Sequence, residues 1–119
     1  MEILNIPNRN VLYLAPKQPL IDWVNHVFPD DQPERLEHPL AHENANIYLI
    51  PATETPEESV EWLKYNFRPI LDEELLEWCT DTEDWPEPFT WEMFRTWFVI
   101  SIQTMVFDTV DEEIEREDI

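Results

Sequence analysis

Glycine does not occur anywhere in these 119 residues, although average usage of about 7% would supply roughly eight. The Walker loop, the dinucleotide fingerprint and the nucleophile elbow all need glycine where backbone meets phosphate or turns sharply, so all three are excluded. Any position that demands a positive φ has to fall to Asn or Asp. Cysteine is almost as scarce. Cys79 alone excludes an internal disulfide framework and a multi-cysteine zinc site, and a reducing cytoplasm is the expected setting. Long apolar runs are missing too: nothing approaches the roughly 18 residues that cross a bilayer. Met1–Asn5 has no cationic n-region, so no secretory signal is expected there.

Positive charge is the other deficiency. Seven Lys and Arg face 27 Asp and Glu, for a formal net charge of −20. Nucleic acids and anionic membranes are bound through bases that neutralise phosphate, so direct binding to either is disfavoured. The imbalance is uneven along the chain. Residues 1–50 carry seven acids and three bases, and residues 51–119 carry twenty acids and four bases. A partner selected by charge should be basic and should meet the C-terminal half.

What is present is core material and proline. The chain is 43% hydrophobic, with six Trp, six Phe, three Tyr and eleven Pro. So many aromatics separate it from disordered acidic chains, which cannot offset the entropy of ordering. The length fits one domain. Residues 1–110 are read as that domain and 111–119 as an acidic, frayed tail.

The run Val11–Ala15 ends at Pro16 and reads as a buried strand. Pro19 suits a first helical turn, and Leu20, Val24 and Val27 follow at helical spacing. Residues 29–45 read as a long loop. Ile47–Ile50 reads as a second strand. Thr55, Pro56 and Glu58 form a capping box with proline at the first helical position. The helix after it carries a Val60, Leu63, Phe67 stripe. Pro69 is expected to break or kink it near Arg68, with helix resuming through Leu71, Leu75, Leu76 and Trp78. Thr90 caps a further short helix with Trp91, Phe94 and Trp97 or Phe98. Val99–Phe107 is rich in β-branched residues and is read as a long strand, in preference to continuous helix from Thr90 to Val106. The result is an α+β domain: a small three-stranded sheet, mostly antiparallel or mixed, with three to four helices on one face.

Three segments together carry a family resemblance. Pro16-Lys17-Gln18-Pro19-Leu20-Ile21-Asp22-Trp23 is the first. Trp78-Cys79-Thr80-Asp81 leading to Trp85-Pro86 is the second. The third runs from Thr90 through Phe94 and Trp97-Phe98 to Met105-Val106-Phe107-Asp108. In these the chain resembles a group of small acidic bacterial proteins with no assigned activity. The resemblance spans most of the chain and implies a bacterial cytoplasmic protein; it supplies no catalytic residue, cofactor or substrate.

Candidate sites have to be weighed against plainer readings. His38 and His42 sit four apart, as metal ligands on a helix would. Pro39 and its surroundings indicate a loop, however, and Glu43 lies outside the pair, so exposed loop histidines are the reading taken. A reactive thiol needs a nearby cation or a helix N-terminus. Cys79 instead stands among Glu73, Glu74, Glu77, Asp81, Glu83 and Asp84, and is read as a half-buried structural residue. Ser59 and Ser101 are the only serines, and no His–carboxylate–nucleophile set stands out. With so many carboxylates, nearness between two of them means little. No catalytic residue and no cofactor is therefore assigned, and an enzyme or metal-binding protein remains the weakest alternative. Five tryptophans occupy apolar helical positions; Trp85, between Asp84 and Pro86, is the one expected to be partly exposed.

The acids provide the remaining signal. Glu54, Glu57, Glu58 and Glu61 recur at i, i+3, i+4 and i+7 and line one helix face. With Glu83, Asp84, Trp85 and Glu87 they make the candidate surface for a basic protein, on a chain expected to be a monomer or weak homodimer. The leading reading is a non-catalytic interaction module. The sharper alternative is a mimic of nucleic acid that occupies the groove of a DNA- or RNA-binding protein. The plainer one is that acids favour a helix N-terminus and keep an aromatic-rich protein soluble.

Overall fold

The computed structural model describes residues 1–31 and 44–119. Strand β1 (Leu4–Asn5) is followed by β2 (Arg9–Pro16), helix α1 (Gln18–Val27), β3 (Asn46–Pro51) and helix α2 (Pro56–Trp78). A single 3-10 turn (Thr82–Asp84) leads to helix α3 (Trp91–Trp97), β4 (Phe98–Gln103) and β5 (Phe107–Asp108). The three-stranded sheet has the order β3-β2-β4, with both pairings antiparallel. The α+β class is as expected. The long strand is not: β4 stops at Gln103, and β5 leaves to pair with β1 in a separate two-stranded ribbon.

Strand alternation divides the sheet into two faces. Register puts Leu12 between Tyr48 and Ile102, and Leu14 between Asn46 and Ile100. That side is the core side, where Leu12, Leu14, Ile50 and Phe98 meet Leu20, Ile21, Leu63, Leu71, Leu75 and Phe94. Ile47 and Leu49 point to the other side and are exposed. Aromatic rings tie the helices together: Phe94 lies 5.2 Å from Phe67 and 5.1 Å from Phe98, measured between centroids.

The chain manages without glycine by avoiding the conformations that need it. Among the described residues none has a positive φ. Helices commonly end on a left-handed residue, usually glycine. Here the residue closing each helix, Phe28, Cys79 or Phe98, keeps a negative φ. At Phe98 the backbone steps directly from α3 into β4.

Two helix starts are as the composition implies. Thr55 Oγ1 accepts from the Glu58 amide at 3.3 Å and donates to the Glu58 carboxylate at 3.2 Å. Thr90 Oγ1 accepts from the Met93 amide at 3.2 Å. The expected break at Pro69 is corrected: α2 runs unbroken for 23 residues with Pro69 inside it. The carbonyl left without a donor by Pro69 is that of Tyr65. Tyr65 is 75% exposed, so water can satisfy that carbonyl, while Leu63 on one side and Leu71 on the other anchor both halves to the same core.

The unbroken helix also corrects which side chains face inward. Val60 and Leu76 were expected in the apolar stripe, but both are exposed, and Ser59 and Glu74 are buried in their neighbourhood. Each polar residue meets a partner on the sheet side. Ser59 Oγ accepts from Asn10 Nδ2 at 2.9 Å and shares a 2.7 Å bond with Thr53 Oγ1. That network ties β2 and the β3–α2 connection to the first turn of the helix. Its hydroxyls and the Asn10 amide NH2 are bonded to one another, as buried polar groups need.

Candidate functional site

Helix α2 carries two kinds of glutamate. In its first turns Glu57, Glu58 and Glu61 are exposed, and Glu54, expected on the same helix face, is exposed too but lies ahead of the Thr55 cap, outside the helix. Among the described residues the ion pairs are Arg68–Asp72 and Arg95–Glu92, so these four acids have no basic partner there. Tyr65 follows Glu61 by four residues and Glu58 by seven, which continues the same outer face. It is a contact candidate the sequence reading overlooked, although its helical spacing from the acids was available.

The other predicted acids are not beside them. Thr82–Asp84 follows the C-terminal end of α2, and the Asp84 carbonyl accepts from Trp23 Nε1 of α1 at 3.1 Å. At 1.5 Å per residue, Glu58 and the end of α2 lie roughly 30 Å apart. Glu87 lies between, lining an open surface groove of about 550 Å³ with Arg68, Pro88 and Phe89. Glu54–Glu61 and Glu83–Asp84 are thus two patches rather than one surface.

Trp85 is partly exposed, but so are the other five tryptophans, and exposure does not single it out. Its Nε1 donates to the Cys79 carbonyl at 2.9 Å. Cys79 is buried, caps the end of α2, and directs its thiol to the Asp81 carbonyl at 3.4 Å. His38 and His42 lie outside the described residues. Among the described residues no group of three or more His, Cys, Asp or Glu side chains could hold a metal, and no helix is long and apolar enough to cross a membrane.

Glu74 is the second kind of glutamate. It is 1% exposed and faces β3. Its Oε1 accepts from the Tyr48 hydroxyl at 2.9 Å, and both carboxylate oxygens accept from Asn46 Nδ2 at 3.2 Å. The same amide reaches Glu77 Oε1 at 2.8 Å. An NH2 group has two protons, so one serves Glu77 and the other is shared across Glu74. Burial pushes the Glu74 carboxyl up to about 7, with Glu77 adding in the same direction, while the bonds from Asn46 and Tyr48 pull the other way. The Tyr48 phenol is itself pushed well above its ordinary range, first by burial and then by the negative charge of Glu74.

Sequence reading missed Glu74 because two adjacent glutamates within a leucine-rich helix look like solvated ones. The available signal was phase: Glu74 stands three residues after Leu71 and eleven after Leu63, on the inward stripe. No family model matches the chain, and no curated protein or solved structure is found to be similar to it.

Proposed function

We propose that the protein is a non-catalytic interaction module whose partner is a basic protein surface, engaged by the outer face at the N-terminal end of α2. The observation that carries this reading is the set Glu54, Glu57, Glu58 and Glu61: four exposed carboxylates, unpaired by any described base, at the capped start of one rigid helix. A helix held by its cap and core presents those charges without the ordering cost a flexible tail would incur on binding. Tyr65 adds an exposed aromatic of the kind enriched at interface centres. A bacterial cytoplasmic setting belongs to the same proposal. It is supported by the motif resemblance and the lone cysteine.

The test is capture of basic proteins from bacterial lysate at low salt by the full chain, by the triple variant Glu57→Lys, Glu58→Lys, Glu61→Lys, and by the chain lacking 111–119. Support requires a reproducible partner that is lost in the triple variant, retained without the tail, and released as salt rises, because exposed charges are screened over about 8–10 Å. Retention by the triple variant with loss on tail deletion sinks the helix-face reading. DNA that competes for the same partner identifies the module as a nucleic-acid mimic. Indifference to DNA leaves an ordinary protein contact.

A further inference from the structure

We propose that Glu74, Tyr48, Asn46 and Glu77 form a proton-operated latch that holds strand β3 to the C-terminal half of α2. The inference concerns a cluster separate from the acidic outer face and does not depend on the proposed partner.

Geometry makes the case. Among the described residues strand β3 lies at the edge of its sheet, paired with β2 alone. Its core face has Asn46, Tyr48 and Ile50; Ile50 is buried in the core, the Tyr48 ring packs against it, and Asn46 and the Tyr48 hydroxyl spend their polar groups on α2. The side-chain hydrogen bonds from β3 to α2 all end on Glu74 or Glu77. Few other contacts can substitute for these if they fail.

Among the described residues the cluster has no counter-charge. From α2 itself the neighbouring titratable groups are Glu73 and Glu77, and from β3 the one that faces Glu74 is Tyr48. From β2 the residues in register are Leu12 and Leu14, and from β4 they are Ile100 and Ile102, all without charge. Among the described residues no Lys, Arg or His pairs with Glu74. A negative charge arriving there meets desolvation and a second carboxylate on the same Asn46 amide, relieved only by neutral donors.

Protonation changes the hydrogen bonds as well as the charge. A neutral Glu74 can donate from Oε1, and Tyr48 Oη then accepts, reversing that 2.9 Å bond. The Asn46 amide remains available to Glu77. An ionised Glu74 can only accept, so it competes with Glu77 for Asn46 and calls on the Tyr48 proton. The neutral form is the closed latch. The Asn46 and Tyr48 bonds favour the ionised form, but its desolvation is relieved only when β3 opens to water, so ionisation loosens the seam along β3.

The experiment uses the full labelled chain from pH 5 to 9. Carboxyl carbon shifts report Glu74, side-chain amide shifts report Asn46, and backbone hydrogen exchange reports each strand. The expected midpoint of Glu74 is about 7, with the Asn46 amide moving in step. Exchange should rise at least several-fold in β3 across that midpoint relative to β4, and Glu74→Gln should remove the rise. A Glu74 midpoint in the ordinary carboxylate range overturns the proposal, as does exchange that increases equally in β3 and β4. If Glu74→Gln does not fold, Tyr48→Phe takes its place. Losing the hydroxyl bond should move the Glu74 midpoint and the β3 exchange transition upward together, and a transition that stays put overturns the latch.

Discussion

Glu58 and Glu74 are the same side chain on the same helix, sixteen residues apart, and they do opposite things. Glu58 stands in water at the helix N-terminus, where the macrodipole and the Thr55 hydroxyl favour its charge. Glu74 is sealed against β3, where its charge is what the surroundings resist. The acidity of a residue therefore says little about its role until the face it occupies is known. One end of α2 offers charge outward for recognition, as proposed above, and the other buries a carboxyl whose charge its surroundings resist.

The contrast can be broken most severely by truncation. Glu74→Ala at pH 5 leaves a cavity and deprives Tyr48 and Asn46 of their partner, and should cost about 2–4 kcal/mol in denaturant unfolding. Glu61→Ala should stay within about 0.5 kcal/mol. Similar losses for the two would erase the distinction between the faces.

A pH series sharpens the same contrast. An acid whose pKa is higher in the folded than in the unfolded state binds its proton longer when native, so stability falls as pH rises between the two values. For Glu74 those are 4.5 and about 7. Its contribution is fully present below 4.5 and lost by the time pH has passed 7. The unfolding free energy of Glu74→Gln should therefore gain on wild type by up to about 3 kcal/mol over that window, at about 1.4 kcal/mol per unit. Parallel pH curves for the two proteins would show that Glu74 titrates normally.

Smaller effects belong to the outer end. Thr55→Ala removes the acceptor for the Glu58 amide and should cost about 1 kcal/mol, read by thermal or chemical unfolding. The smallest change in stability is expected from Glu57→Lys, Glu58→Lys and Glu61→Lys, each within about 0.5 kcal/mol apart from the dipole term, while salt-sensitive binding to a basic partner disappears. A triple variant that binds as before would leave the outer acids as solubilising charge.

Much of the fold was legible because its signals are local. Pro16 and Pro51 stand at the ends of β2 and β3, Thr55 and Thr90 cap α2 and α3, and β-branched residues favoured strand at Val99. The misreadings within α2 share one cause. Pro69 looked like a break, and treating α2 as two pieces lost the single phase that brings Ser59 and Glu74 inward. The candidate surface was half legible: Glu57, Glu58 and Glu61 share a face as their spacing requires, whereas Glu54 falls ahead of the cap and the distance to Thr82–Asp84 depends on where the chain goes after Cys79.

By itself the amino-acid sequence determined the exclusions, the α+β class, the helix starts and the acidic outer face, because composition, capping and helical periodicity act over a few residues. Only the tertiary structure decided that β5 leaves the main sheet for β1, that α2 passes through Pro69, and that Glu74 alone among the described acids is buried. The physical reason is that polar burial depends on partners distant in sequence. Ser59 goes inward where Asn10 and Thr53 receive it, and Glu74 where Tyr48 and Asn46 do.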